Sequence, residues 1–287
     1  MANALTGKSV VVTGATSGIG LATVHKLAES GAFVIGVGRS ESRINQARER
    51  ILDASLDARV VFMLADLAEL AQVSQVSGEI TRLLKQIGFH SLDALVNNAG
   101  IYSERKVMTA DRIEQTFAVN HLAPFLLTLE LLPWLQHSES GRVLMVSSYS
   151  HRTTPLCLGR ITNPWPYISL LAYKRSKLCN VLFAYELNRR FEDLTAFAVD
   201  PGLVNTAIAS KGSQGISHWV WRRRRLKGTS ADVPAETILY LIGEPKIDTS
   251  QGFYFKDCAP LTPSRKARRE DLGKRLWKMS AELIGSL

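Results

Sequence analysis

Short runs of β-branched and apolar residues alternate with longer segments in which apolar side chains recur every three to four positions, from the first residues to about Phe255. This alternation restricts the possible folds more than any other feature. The runs at 10–13, 33–37, 60–64, 94–97, 143–146 and 196–199 are nearly all apolar, as strands covered on both faces must be. A seventh strand is expected at 252–255. Helices are expected at 20–30, 42–52, 68–86, 109–135 and 171–191, with a closing helix at 264–284. Repeated βα units imply right-handed crossovers, and hence a parallel sheet with helices on both faces. Neither an internal repeat nor a low-complexity linker interrupts the pattern, so one α/β domain of seven parallel strands is expected over residues 1–287.

A chain of 287 residues can bury roughly three quarters of its unfolded surface. Its hydrophobic fraction of 46% and charged fraction of 21% are those of an ordinary globular protein. No run of 18 apolar residues suggests a membrane-spanning helix, and the stretch before the first strand is too short for a signal peptide. Cys157, Cys179 and Cys258 form an odd, sparse set without metal-ligand spacing. Reduced thiols, no metal and a cytoplasmic location are therefore expected. The net charge of +9 includes four arginines at 222–225, but the rest of the excess is scattered. No zinc-finger spacing or RNA-binding signature accompanies it, so a nucleic-acid partner is not expected.

In parallel sheets of this kind, ligands bind outside the carboxyl ends of the strands, and the distinctive residues of this chain fall there. The first strand runs into Thr13-Gly14-Ala15-Thr16-Ser17-Gly18-Ile19-Gly20 and then a helix. Glycines let the backbone turn tightly and approach a pyrophosphate seated on the helix N–H groups. The second strand ends in Gly38-Arg39-Ser40. An acidic residue for a ribose 2′-hydroxyl is missing there, and an arginine fork suited to a 2′-phosphate takes its place. After the third strand, Asp66 is placed to accept from an adenine amino group or to cap the next helix. Asn97-Asn98-Ala99-Gly100 ends the fourth strand, and Pro201-Gly202 follows the sixth. Asn120 lies inside a helical segment, where its poor propensity calls for a reason.

Tyr173 and Lys177 share one face of a helix, one turn apart. A neighbouring ammonium favours the phenolate and is expected to lower the tyrosine pKa toward the working range. Ser147 and Ser148 follow the fifth strand, and alternation points their hydroxyls to opposite sides.

Taken together, Thr13-Gly-x-x-x-Gly-Ile-Gly20, Asn97-Asn-Ala-Gly100, Asn120, a strand-end serine, Tyr173-x-x-x-Lys177 and Pro201-Gly202 resemble the short-chain dehydrogenase/reductase family. They come in the family's order and cover about residues 8–206. The segments 120–127, 176–183, 253–258 and 276–280 resemble its retinol-dehydrogenase branch, as does the 25-residue interval from Ser148 to Tyr173. The resemblance implies a Rossmann-like fold and NADP(H) as cofactor. It implies cofactor contacts from Gly14, Thr16, Ser17, Gly18, Ile19, Gly20, Arg39, Asp66, Leu67, Asn98, Ala99, Gly100, Tyr173, Lys177, Pro201, Gly202, Val204 and Thr206. It also implies catalysis by Asn120, Ser148, Tyr173 and Lys177, with Tyr173 as general acid and base between a bulky hydrophobic ketone or aldehyde and its alcohol. Asn120 would hold a water linking Lys177 to solvent. Two alternatives of the same fold are an NADP(H)-sensing regulatory protein and a C=C reductase like the protochlorophyllide reductases, which Cys179-Asn180 resembles.

Residues 207–231 are expected to form a substrate lid, and Trp219, Trp221 and Arg222 within them could instead touch a membrane surface. Residues 232–287 complete the domain. The loop 155–168, with Pro164, Trp165, Pro166 and Tyr167, is expected to wall the pocket. His121 and His151 lie near the site without a required role. Family members commonly pair through the helices carrying Asn120 and Tyr173, so a homodimer or homotetramer is expected.

Overall fold

The computed structural model describes residues 4–204 and 228–285. Strands β1 (Ser9–Thr13), β2 (Phe33–Gly38), β3 (Val60–Leu64), β4 (Ala94–Asn97), β5 (Gly141–Val146), β6 (Leu194–Val199), β7 (Tyr254–Lys256) and β8 (Ala259–Pro260) form one sheet in the order β3-β2-β1-β4-β5-β6-β7-β8. The first seven are parallel and the eighth is antiparallel. The seven expected strands are thus present, and the sheet has one more. The extra strand forms because Asp257 and Cys258 both adopt positive φ, 50° and 60°, closing a two-residue hairpin between Lys256 and Ala259. Such hairpins usually announce themselves with glycine or asparagine, and this sequence does not.

Side-chain alternation divides the core. Val11, Ile35, Leu95, Val143 and Ala196 point to one face, whereas Val10, Val12, Val34, Val96, Leu144 and Phe197 point to the other. Helices α1 (Gly18–Glu29), α2 (Glu41–Ala54) and α6 (Asp232–Gly243) cover the second face. In α2 the buried residues Ile44, Ala47 and Ile51 fall on one helical stripe. Helices α3 (Leu70–Gln86), α4 (Gln115–Gln136), α5 (Ser169–Arg190) and α7 (Glu270–Leu283) cover the first face. By length and composition α4 could cross a membrane, but most of it is buried inside this fold.

Helix α4 starts six residues later than its apolar pattern suggests. The buried carboxylate of Glu114 accepts from Thr116 N and Phe117 N, both at 2.9 Å, and so sets the N-terminus. Arg112, at φ 60°, turns the chain before it. Likewise the closing helix is broken at Arg269 into a short 3₁₀ turn (Lys266–Arg268) and α7.

Helix α7 lies across α4 and α5. Trp277 packs against Phe125, Phe183 and Phe191, and the Arg190 guanidinium stacks over its ring at 4.3 Å. Buried Glu186 binds Arg189 at 3.0 Å and Arg190 at 2.8 Å. A Cβ at Gly273 would stand 3.1 Å from Glu186 Oε2, so the absence of a side chain there permits this close approach. Any pairing of subunits through α4 and α5 must accommodate α7.

His121 is fully buried among Phe117, Phe125 and Phe183, with Nε2 3.0 Å from Ser280 Oγ. Burial drives its pKa down to about 3. Between that value and 6.5 the unfolded chain binds a proton that the native chain refuses, so this contribution to stability is full above 6.5 and is lost as pH falls. The loss is about 1.4 kcal/mol per pH unit. Urea melts should therefore show stability dropping between pH 7.5 and 5, with a shallower drop in His121→Gln. Equal slopes in the two proteins would contradict this assignment.

Candidate active site

The strand order reverses between β1 and β4, and the two strand ends are locked together there. Thr13 Oγ1 accepts from both Asn98 N and Ala99 N at 3.0 Å. In return, Asn98 Nδ2 donates to Thr13 O at 2.8 Å. Above this junction the glycine turn passes at close quarters. Gly14 and Gly18 have φ of 65° and 54°. A Cβ at Gly14 would meet Ala99 Cα at 2.9 Å, and one at Gly20 would meet Gly14 O at 2.3 Å. Only bare backbone fits; Ala15 N is used on Val37 O at 3.1 Å, and the N–H groups at the start of α1 suit an anionic ligand.

A cleft of about 660 Å³ opens over this turn. It is lined by Gly14, Thr16, Ser17, Gly18, Ile19, Arg39, Asp66, Leu67, Asn98, Ala99 and Gly100, all of them expected cofactor contacts. Gly20 lies beneath the turn and serves close packing instead. The Asn98 amide is engaged by backbone carbonyls, so its side chain braces the cleft. Asp66 Oδ1 accepts from Ala68 N at 2.9 Å while the residue still lines the cleft. Ser40, Arg43 and Arg105 also line it and were not anticipated. Arg39 precedes the α2 N-cap Ser40, so no helical spacing linked Arg43 to it in the sequence.

Beyond the cleft, four further side chains converge from three elements. Helix α4 makes a π-turn at Ala118–Leu122, the kind of local widening that re-aims a side chain. Asn120, within it, donates from Nδ2 to Ile101 O at 3.0 Å and to Ser176 Oγ at 2.9 Å, and accepts from Ile101 N at 2.8 Å. Its placement in a helix thus has a structural reason: it fastens the segment after β4 to α5. A Cβ at Gly100 would lie 3.3 Å from Lys177 Nζ and 3.4 Å from Asn120 Oδ1, so both groups crowd this glycine.

After β5 the two serines diverge. Ser147 is buried and donates to Lys177 O at 2.8 Å, so its hydroxyl is spent on α5. Ser148 accepts from Ser150 N at 3.2 Å, and its side chain stands close enough to Tyr173 to lower the phenol's pKa. Lys177 Nζ is buried, donates to Val146 O at 2.9 Å and stands 5.7 Å from the centre of the Tyr173 ring. Tyr102, unnoticed in the sequence, edges against Tyr173 with ring centres 5.8 Å apart and bonds Ser169 Oγ at 2.9 Å.

The electrostatics differ from the sequence expectation. Burial pushes the Tyr173 phenol up to about 12, against the Ser148 side chain that lowers it, and the charge of Asp200 adds to the rise. Burial also brings Lys177 down to about 8. In the protein by itself the ammonium is directed at a carbonyl oxygen, and desolvation outweighs the attraction that would favour a phenolate. Tyr173 is therefore a protonated phenol at neutral pH.

Of the other expected residues, Pro201, Gly202 and Val204 follow β6 but do not line the cleft. Gly202 N donates to Asp200 Oδ1 at 3.0 Å, and Val204 pairs with Thr229. Thr206, Trp219, Trp221, Arg222 and most of the expected lid lie outside the described residues. In the 155–168 loop, Tyr167 bonds Ser103 O at 2.9 Å, whereas Trp165 is exposed. His121 and His151 are both buried. The three cysteines are free, and no cluster of metal-binding side chains occurs among the described residues.

Comparison with known proteins agrees with this architecture. A family model described as short chain dehydrogenase matches residues 8–216. The WW domain-containing oxidoreductase of Gallus gallus is 36% identical over 295 residues, covering 98% of this chain and 69% of that protein. Retinol dehydrogenase 14 of Mus musculus is 32% identical over 301 residues, covering 98% and 87%. A solved structure of an uncharacterised Mycobacterium Paratuberculosis protein superimposes with a TM-score of 0.74 at 29% identity, covering 98% of this chain and 94% of that one. The chain belongs to the short-chain dehydrogenase/reductase family and is an oxidoreductase of its retinol-dehydrogenase-like branch.

Proposed function

We propose that this protein is an NADP(H)-dependent oxidoreductase that interconverts a bulky hydrophobic ketone or aldehyde with its alcohol. The observation that carries the reading is the convergence of Ser148, Tyr173, Lys177 and Asn120 beside a glycine-lined cleft. The cleft fits the cofactor it would need. Its backbone cradle is too tight for any Cβ at Gly14 or Gly20, and Arg39, Ser40 and Arg43 gather donors at its far end. Two guanidiniums and a hydroxyl suit a 2′-phosphate, and the residue directly after β2 is Arg39 rather than a carboxylate that would favour a bare 2′-hydroxyl.

When bound, the nicotinamide supplies or takes up the hydride. Tyr173, protonated at neutral pH, delivers its proton to the carbonyl oxygen as that oxygen gains charge. Ser148 donates a second hydrogen bond to the same oxygen. Lys177 holds positive charge beside the phenol and stabilises the phenolate formed when the proton leaves. The Asn120 carbonyl keeps one lone pair beyond its bond to Ile101 N, and both it and Lys177 Nζ lie against Gly100. A water held there would return the proton from solvent. In the alcohol-oxidising direction the same phenolate accepts the proton. The exposed side chains of Tyr149, Ile168 and Leu170 lie close in the chain to Ser148 or Tyr173 and support an apolar substrate.

Four measurements check this reading. Tyr173→Phe should lower kcat by roughly a hundredfold or more while the NADPH dissociation constant stays within about threefold; substantial turnover in that variant would remove Tyr173 from its role. Arg39→Ala with Arg43→Ala should raise the KM for NADPH by roughly ten- to a hundredfold and leave that for NADH nearly unchanged. A wild-type kcat/KM higher with NADH than with NADPH would overturn the cofactor assignment. Because Lys177 loses its charge through about pH 8, the rate of carbonyl reduction should hold through neutral pH and fall above that point; a rate still rising at pH 9 would contradict it.

A further inference from the structure

The 3₁₀ turn Tyr149–Thr153 begins directly after Ser148, and the peptide between Ser148 and Tyr149 is held at both of its polar ends. Ser148 O accepts from the His151 ring at 2.8 Å and from His151 N at 3.1 Å. On the other side of the same peptide, Tyr149 N donates to Asp200 Oδ1 at 3.1 Å. The two holding side chains meet at Tyr254 from β7. Its hydroxyl donates to Asp200 Oδ2 at 2.7 Å, and its ring packs edge-on to His151 at 5.1 Å. All three residues are buried.

The protonation of this group follows from its partners. Ser264 N donates to His151 Nε2 at 3.2 Å, so Nε2 is an acceptor and carries no proton. The ring is therefore the neutral tautomer with its proton on Nδ1, the atom that faces Ser148 O. Asp200 takes three donors (Tyr149 N, Gly202 N and the Tyr254 hydroxyl), and among the described residues no cation bonds it. The Arg152 guanidinium stacks over the Tyr149 and Tyr254 rings at 5.1 and 5.9 Å. A buried carboxylate is costly to keep ionised, and a neutral amide could accept from the same two backbone N–H groups. The charge thus has a use that the hydrogen bonds alone do not explain.

We propose that His151 and Asp200, joined through Tyr254, are positioning residues that clamp the Ser148–Tyr149 peptide and so hold the Ser148 hydroxyl against Tyr173. This rests on the reading of Ser148 and Tyr173 as the groups that meet the substrate oxygen. Asp200 has a second effect, because its negative charge opposes the phenolate of Tyr173 across the same pocket. Around Tyr173, Lys177 on α5 favours that phenolate and Asp200 opposes it, while Tyr102 meets it through its ring. The clamp therefore sets geometry for both directions of reaction and biases the phenol toward its proton-donating form, which is the form used in reduction.

The test compares steady-state kinetics of His151→Phe, His151→Asn, Asp200→Asn and Ser148→Ala with wild type. His151→Phe keeps the ring's bulk and removes its hydrogen bonds, so kcat should fall by roughly ten- to a hundredfold with the KM for NADPH unchanged. His151→Asn restores a donor to Ser148 O and should recover most of the loss. Asp200→Asn keeps an acceptor for Tyr149 N and removes the charge. Its pH profile for alcohol oxidation should move to lower pH by on the order of one unit, a shift that a merely structural role would not cause. Wild-type kcat in His151→Phe would overturn the clamp, and an unshifted profile in Asp200→Asn would overturn the charge effect of Asp200; if His151→Phe does not fold, Asp200→Ala, which removes the acceptor for Tyr149 N, takes its place, and wild-type kcat there would overturn the clamp. Ser148→Ala separates the two failures: retained turnover there removes the underlying reading, whereas its loss with His151→Phe fully active removes the clamp alone.

Discussion

The contact on which the rest depends is the lock between β1 and β4, where Thr13 and Asn98 exchange hydrogen bonds across neighbouring strand ends. The sheet order changes direction here, so helices leave to opposite faces and a crevice is left between them. The lock keeps that crevice at one width. With Asn98 engaged below, Gly14 and Gly20 pass too close for any side chain, and the backbone itself becomes the wall of the cleft. A cofactor held by main-chain donors needs such rigidity, because those donors cannot swing to meet it. The same junction continues through Gly100 to Asn120 and Lys177. Cofactor cradle and reacting groups are thus one connected piece.

Burial is the second constraint, and it acts on the reacting groups in opposite senses. It raises the phenol of Tyr173 and lowers the ammonium of Lys177, bringing the lysine toward neutrality at physiological pH and keeping the tyrosine protonated. Asp200 reinforces the first effect. A site of this kind starts from a neutral acid beside a marginally charged cation, which suits donation of a proton to a carbonyl more readily than its removal from an alcohol. The spacing of Tyr173 and Lys177 on one helix face is correct geometry, but in the protein alone the ammonium turns toward Val146 O. Proximity in sequence does not decide which acceptor a cation chooses.

Much of the fold was legible because each parallel strand is covered on both sides and must be apolar throughout, as Val10 to Val12 and Val143 to Val146 are. What escaped was set by interactions that leave no periodic trace. Glu114 starts α4 with its carboxylate, although residues before it continue the apolar pattern. The β8 hairpin turns on Asp257 and Cys258, neither of them a glycine. Among site residues, the glycine turn and Tyr173 stood out through spacing, whereas Arg43, Tyr102 and Asp200 did not. A single arginine on a helix, a tyrosine after a strand and one acid before Pro201-Gly202 carry no pattern; only the folded chain brings them to the cleft, to the Tyr173 ring and to the Ser148–Tyr149 peptide. His151 looked dispensable for the same reason. Its importance lies in what it bonds at both nitrogens.

The central claim is that this chain moves hydride between a nicotinamide and a carbonyl carbon. The most direct measurement uses NADPH deuterated at the transferable C4 position, incubated with the protein and panels of steroid, retinoid and aromatic ketones and aldehydes. Products are read by mass spectrometry. The account predicts an alcohol carrying deuterium on its carbinol carbon. Bound NADPH with no deuterium in any alcohol product would contradict it.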